Sequence, residues 1–395
     1  MENIINDNVI ILGAGASFDA KVPLLKDFVD TMWEFSVRGK NGVEPLSIED
    51  KQIFANAIKV RDELDGYHGR ANFDDRNLED ILSILSFNLM GGTRKDRERL
   101  KWITKAIART IELECEVKHT GENKIIRQGD TIYQKFWKNL FSLFEDFKSI
   151  PTIISFNYDL VLERALFQLL NNTEYNMYQN PFPKGDGIMI DYQNSLIEKL
   201  IYKLEYCRYK DGTTIEGRQG TRLKFVGQTE LSDVFKINLL KLHGSLNFDL
   251  KSKIKLDGNI PVNSLEEPFI LPPIFNKLNS KSIEETWKTA LQALRNSKNV
   301  LIVGYSLPKT DIYMNYFLKT ALGPNVNLNK IYIFNPTLFD SNKENDLMRA
   351  RYEDCFAPQL QNRIIFEPGA TFDNRSGGTF KHFVHSINDK SKIFF

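Results

Sequence analysis

Five short, mostly apolar runs, each followed by a residue suited to a binding site, constrain this chain more than any other feature. They are VIIL at 9–12, PTIISF at 151–156, INLLKL at 237–242, VLIV at 300–303 and IYIF at 331–334. Runs this short, without strict polar alternation, are the pattern of strands covered on both faces, as in a parallel sheet flanked by helices. The residues that follow them are Gly13, Asn157, His243, Gly304 and Asn335. In an open α/β sheet the ligand sits beyond the carboxyl ends of the strands. These five strand ends therefore predict one site assembled from distant parts of the chain.

Two long stretches interrupt the strands. Residues 36–147 read as a helical insertion. NLEDILSILSFNLM sets Leu78, Ile81, Leu82, Leu85 and Leu89 on one stripe, and KWITKAIARTIEL does so with Trp102, Ile103, Ala106 and Ile107. TIYQKFWKNLFSLFEDF is a third amphipathic segment. Such helices either pack on themselves or offer a face to a partner. Residues 176–235, with the loop signals PFPKGDG and KDGTTIEGRQG, are expected to form an irregular insertion and a candidate lid. The tail, 371–395, ends in an aromatic-rich segment expected to dock on a neighbouring copy. That leaves a discontinuous core of 1–35, 148–175 and 236–370, in keeping with a 395-residue chain of about two domains.

Charge and cysteine content narrow the function classes. A formal net charge of +1 gives no global field toward DNA or an acidic membrane, so strong intrinsic nucleic-acid binding is not expected. The lysines of KSKIKL (251–256) read as a solvated hairpin. No apolar run reaches the roughly 20 residues that span a bilayer. The acidic start MENIINDN does not read as a signal peptide, so a cytoplasmic location is expected. Three separated cysteines, Cys115, Cys207 and Cys355, cannot supply four zinc ligands. The five histidines (His68, His119, His243, His382 and His385) carry no ligand pattern, and no metal is expected.

At the strand ends, Gly13-Ala14-Gly15 matches the first half of G-x-G-x-x-G, but Phe18 holds the third glycine position. Glycines there let the backbone approach a pyrophosphate, and the following helix presents N–H groups to it. Ser17 would cap that helix or touch phosphate; a plain strand-to-helix turn is the alternative. In SFNYD, Asn157 and Asp159 are either site residues or turn and cap residues. In KLHGSLNF, His243 lies between a buried strand and a Gly-Ser turn, facing a cleft or serving the structure.

Taken in order, GAGAS, FNYD, LHGS, GYSLPKTD (304–311) and IFNP (333–336) resemble the sirtuin family of NAD-consuming enzymes. In that family a glycine-rich loop, a Q-N-x-D segment, an L-H-G segment, a G-x-S segment and a late asparagine surround NAD. AKVPLL (20–25) is similar to the G-I-P stretch after the loop. The resemblance spans residues 9–336, with departures. A four-cysteine zinc ribbon is missing, Phe156 replaces the glutamine, and Leu24-Leu25-Lys26 replaces an Asp-Phe-Arg turn. GYSLPKTDIY and the helix-rich 36–147 region look most like the sirtuin-like effectors of bacterial anti-phage defence, which hydrolyse NAD.

The resemblance implies an α/β fold: a Rossmann-like parallel sheet of sirtuin type with a large helical insertion and no zinc ribbon. It implies an NAD+ glycohydrolase that cleaves the nicotinamide–ribose bond to give nicotinamide and ADP-ribose, depleting NAD+ when activated. Asn157 would hold the attacking water or a ribose hydroxyl, and His243 would bind the nicotinamide ribose and act as general base. Asp159 would contact the carboxamide, Gly13, Ala14, Gly15 and Ser17 the pyrophosphate, and Gly304, Ser306 and Asn335 the adenosine half. Because free activity would kill the host, gating by homo-oligomerisation or by a HerA-like hexameric ATPase is expected. Two other readings stay open: an NAD- or ADP-ribose-binding regulatory or scaffold subunit for a partner ATPase or nuclease, and an NAD-dependent protein deacylase.

Overall fold

All five apolar runs become neighbouring strands of one sheet in a computed structural model of the chain. The structure describes residues 7–66, 74–117, 131–171, 185–195, 197, 199–209, 218–227, 231, 233–249, 254–262, 268–271, 281–308, 311–339, 343–367, 377–388 and 394. Parts of the expected loops (181–184 and 210–217), the first residues of KSKIKL and tail residues 371–376 lie outside them.

The sheet strands are β1 (Asn8–Leu12), β2 (Thr152–Ser155), β3 (Gly187–Asp191), β4 (Leu200–Tyr209) and β5 (Arg218–Phe225). They continue with β6 (Val234–Lys241), β7 (Asn299–Val303), β8 (Lys330–Phe334) and β9 (Ile364–Phe366). Their spatial order is β9-β8-β7-β1-β2-β6-β3-β4-β5. From β9 to β3 every pairing is parallel, while β4 and β5 add on antiparallel. The chain leaves β1 for β2 on one side and later returns to β7 on the other. The crevice beyond β1 is therefore a topological switch point, where open α/β sheets hold ligands.

Period-two alternation sorts the strand residues onto two cores. Ile10, Leu12 and Ile153 join a core with helices α1 (Phe28–Arg38), α2 (Ile48–Asp65), α3 (Leu78–Asn88), α4 (Arg94–Glu114), α5 (Ile132–Phe144) and α6 (Val161–Leu170). Val9, Ile11, Val300 and Ile302 face α7 (Lys281–Asn296), α8 (Ile312–Leu322) and α9 (Lys343–Glu353). This is a mixed α/β, Rossmann-like arrangement with helices on both faces. Helix starts follow local chemistry: Ser47, Asn77 and Thr93 accept backbone N–H bonds, and Thr131 with Gln134 forms a capping box.

One sequence expectation needs amending. The 176–235 stretch, expected to be irregular, contains β3, β4, β5 and the start of β6. The physical signal is alternation: Leu200, Tyr202 and Leu204 are buried while Lys203 between them is exposed. Part of the tail forms α10 (Phe380–Asn388), and Phe380, Phe383, Val384, Ile387 and Phe394 join the core of the chain. Phe380 packs on Tyr133 at 5.0 Å and Phe136 at 5.4 Å, and Phe394 meets Phe144 edge-on at 5.4 Å.

Within the helical layer, Arg109 of α4 holds both carboxylate oxygens of Asp50 on α2. Burial works to raise the Asp50 carboxyl, but the bonds from Arg109 and Ser47 outweigh it and hold it below its ordinary value. A lowered acid stabilises the fold above its unfolded pKa, about 3.9, and that contribution fades as pH falls through the folded value. Asp50→Asn is expected to cost about 1.5–3 kcal/mol at pH 7. Denaturant midpoints of variant and wild type should converge below about pH 4.

Candidate active site

The turns after β1 and β7 interlock. The Gly13 N–H donates to the Val303 carbonyl and the Gly15 N–H to the Gly304 carbonyl, both at 2.9 Å. A Cβ on Gly13 would stand 2.6 Å from Tyr305 Cβ, and one on Gly304 would stand 2.3 Å from the Ala16 nitrogen. Gly304 also has φ +66°, the left-handed region that glycine favours. The glycines thus serve the approach of one turn to another. Their amides are taken by that contact, which leaves the pyrophosphate expected at Gly13 and Gly15 without those two donors. The element that follows, Ala14–Ala20, is a single 3-10 segment, and Phe18 is 57 % exposed on it.

Beside the interlocked turns is a cavity of about 130 Å³. Of the sequence-predicted residues, Ala14, Asn157, Asp159, His243, Gly304 and Ser306 line it. Gly13, Gly15, Ser17 and Asn335 stand behind it. Ser17 accepts from the Asn157 amide. Asn335 donates to the Tyr305 carbonyl at 3.3 Å and accepts from the Thr337 N–H at 3.0 Å, so it fixes the turn that carries Tyr305.

Asn157 follows β2, and its Nδ2 donates to the Gly13 carbonyl and to Ser17 Oγ, both at 2.9 Å. A main-chain carbonyl only accepts, so this bond orients the amide and leaves Oδ1 as its remaining polar end. His243, just beyond β6, is buried among Phe156 (5.3 Å between ring centres), Tyr158 (6.1 Å) and Trp287 (6.5 Å). Asp159 accepts the Val161 N–H at the start of α6 through Oδ1, and Lys241 donates to its carbonyl.

The sequence reading missed a second group of lining residues: Glu79, Asp311, Tyr158 and Tyr305. Glu79 comes from the first turn of α3, so the helical insertion supplies part of the wall. Asp311 caps α8 and accepts the Tyr305 phenol at 2.8 Å. Glu79 lies in NLEDILSILSFNLM and Asp311 in GYSLPKTD, but helical periodicity draws attention to the apolar stripe rather than to the charge beside it. Burial first, and then the charges of Glu79 and Asp311, push the Tyr158 phenol well above its ordinary value.

The lining residues therefore include three acids, Glu79, Asp159 and Asp311, and four aromatics, Phe28, Phe156, Tyr158 and Tyr305. No lysine or arginine is among the described residues that line it. Acidic and aromatic residues together in one lining favour a cationic ligand group. The volume is close to the ~150 Å³ of an apolar cavity that admits benzene, so one six-membered ring fits inside. Among the described residues, the cavity included, no group of three or more His, Cys, Asp and Glu side chains is placed to hold a metal. None of the described helices is long and apolar enough to cross a membrane. No family model matches the chain, and no curated protein matches it.

Proposed function

We propose that the chain is an NAD+ glycohydrolase whose cavity receives the cationic nicotinamide ring. The observation that carries this reading is a ring-sized, acid-lined aromatic cavity with Asn157 and His243 in its wall. In this reading the sheet and its strand-end residues form a sirtuin-type core, and the pyrophosphate and adenosine lie outside the cavity.

The chemistry asks little of a general acid, because the pyridinium leaves as a neutral amine. As the C1′–N bond breaks, positive charge moves onto the ribose, as in other oxocarbenium-like glycosidic cleavages. Carboxylates already fixed beside that carbon stabilise the charge without reorganising. Asn157 Oδ1 accepts a hydrogen bond from the attacking water or a ribose hydroxyl. His243 takes the proton as the water oxygen bonds to C1′. The products are nicotinamide and ADP-ribose. Such activity would exhaust cellular NAD+, which fits a gated effector of anti-phage defence in the cytoplasm. Assembly of copies of this chain, or a HerA-like hexameric ATPase, would supply the gate.

The acid lining makes a specific demand. Nicotinic acid adenine dinucleotide differs from NAD+ in a ring carboxylate, which would face Glu79, Asp159 and Asp311. Like charges brought together cost several kcal/mol, so kcat/KM for the acid analogue should be at least ~100-fold lower. Glu79→Gln should narrow that gap. Equal turnover of the two dinucleotides would contradict the reading.

A further inference from the structure

The 3-10 segment beside the cavity is longer than that geometry ordinarily sustains. It runs for seven residues, Ala14–Ala20, whereas 3-10 runs seldom exceed about four. Ser17 lies at its centre and accepts from the Asn157 amide at 2.9 Å. Whatever keeps the segment from relaxing into an α-helix therefore also bears on Asn157.

Tyr133 of α5 stands at the place where an α-helix would close. Its hydroxyl accepts from the Ala20 N–H at 3.1 Å and donates to the Ala16 carbonyl at 2.9 Å. These two backbone groups are four residues apart, the pair an α-helix joins directly. The phenol is inserted between them, one of the ways a helical ladder is broken. A hydroxyl can do this because one oxygen both donates and accepts. Burial first, and then the charges of Asp19 and Asp159, push the phenol well above its ordinary value, so it keeps its proton. The ring is held in place as well. Phe380 of α10 stacks on it at 5.0 Å, and Asn139 of α5 donates to the Val384 carbonyl of α10 at 2.9 Å.

We propose that Tyr133 is a positioning residue, a wedge that keeps Ala14–Ala20 in 3-10 form and Ser17 within reach of the Asn157 amide. The start of the segment is anchored, because the Gly15 N–H donates to the Gly304 carbonyl. A 3-10 helix turns about 120° per residue and an α-helix about 100°. If Ala20 closed directly onto Ala16, Ser17, two residues past the anchor, would swing by about 40°. Asn157 would keep its bond to the Gly13 carbonyl and lose the one to Ser17, and its Oδ1 would no longer be held in one direction. The helical layer thus sets the aim of a side chain at a strand end. The geometric part of this proposal is independent of the NAD+ reading; its kinetic consequence rests on that reading.

Tyr133→Phe tests it with two readouts. In a nitrogen-edited NMR spectrum, the Asn157 side-chain amide is assigned by its absence from the Asn157→Ala protein. In Tyr133→Phe that signal should shift, and its protons should exchange with solvent at least ~10-fold faster. In turnover, kcat for nicotinamide release should fall ~10–100-fold while KM for NAD+ stays within about threefold. Asn325→Ala is the stability control. It removes two buried bonds near the end of α7, to the Leu294 and Ser297 carbonyls at 2.8 and 2.7 Å, and should lower Tm without moving the Asn157 signal. An Asn157 signal unchanged by Tyr133→Phe overturns the proposal, as does an equal shift in Asn325→Ala or an unchanged kcat in a chain shown to release nicotinamide. If the wild-type chain leaves NAD+ intact, the NAD+ reading fails and the amide signal alone decides the role of Tyr133.

Discussion

Asn157→Ala is expected to abolish nicotinamide release, lowering kcat/KM by about 10²–10⁴-fold, and His243→Ala to do the same. The two losses have different origins. In the proposed mechanism His243 supplies the proton acceptor, and no other described residue of the lining is a histidine. Asn157 supplies a fixed acceptor oxygen whose direction is set by its bonds to Gly13 and Ser17. Alanine at 157 also leaves the Gly13 carbonyl without that donor, so a stability cost of about 1–3 kcal/mol should accompany the kinetic loss. Measuring Tm beside turnover separates the two effects. A folded Asn157→Ala or His243→Ala protein that still releases nicotinamide at the wild-type rate would remove these residues from the mechanism.

Gly304→Ala carries the largest structural effect. Its Cβ would meet backbone atoms of Gly15 and Ala16 at 2.3–2.8 Å, and backbone in an interlocked turn has nowhere to move. A left-handed φ adds strain for any residue with a Cβ. Together these are expected to cost about 2–5 kcal/mol, read as a large drop in Tm or loss of soluble protein. Gly42 is the control, with φ +58° and nothing within 4 Å of an added Cβ. Gly42→Ala should cost only about 1 kcal/mol. Similar losses at both positions would show that φ, not the close approach of the two turns, sets the need for glycine.

Much of this arrangement is legible in the sequence, for a definite reason. Strands buried on both faces have no polar positions to blur them, so VIIL, VLIV and IYIF stand out directly. The residue after such a strand lies at the carboxyl edge, which places Asn157 and His243 at the cavity. Strands β4 and β5 escape notice because glycine-rich loop signals flank them and their polar alternation resembles surface loop. Glu79 escapes for another reason. It reaches the cavity only through the tertiary packing of α3, which helical periodicity does not encode. The glycine turn shows a third limit. Gly13-Ala14-Gly15 reads as a phosphate cradle, yet a glycine also serves wherever two backbones touch, and here its partner is Gly304, far along the chain.

The most direct test of the central claim is to incubate the purified chain with NAD+ over a rising series of protein concentrations and resolve the products by chromatography. The account predicts equimolar nicotinamide and ADP-ribose, with specific activity rising as the chain assembles and no release by the Asn157→Ala protein. NAD+ recovered intact at every concentration would contradict it.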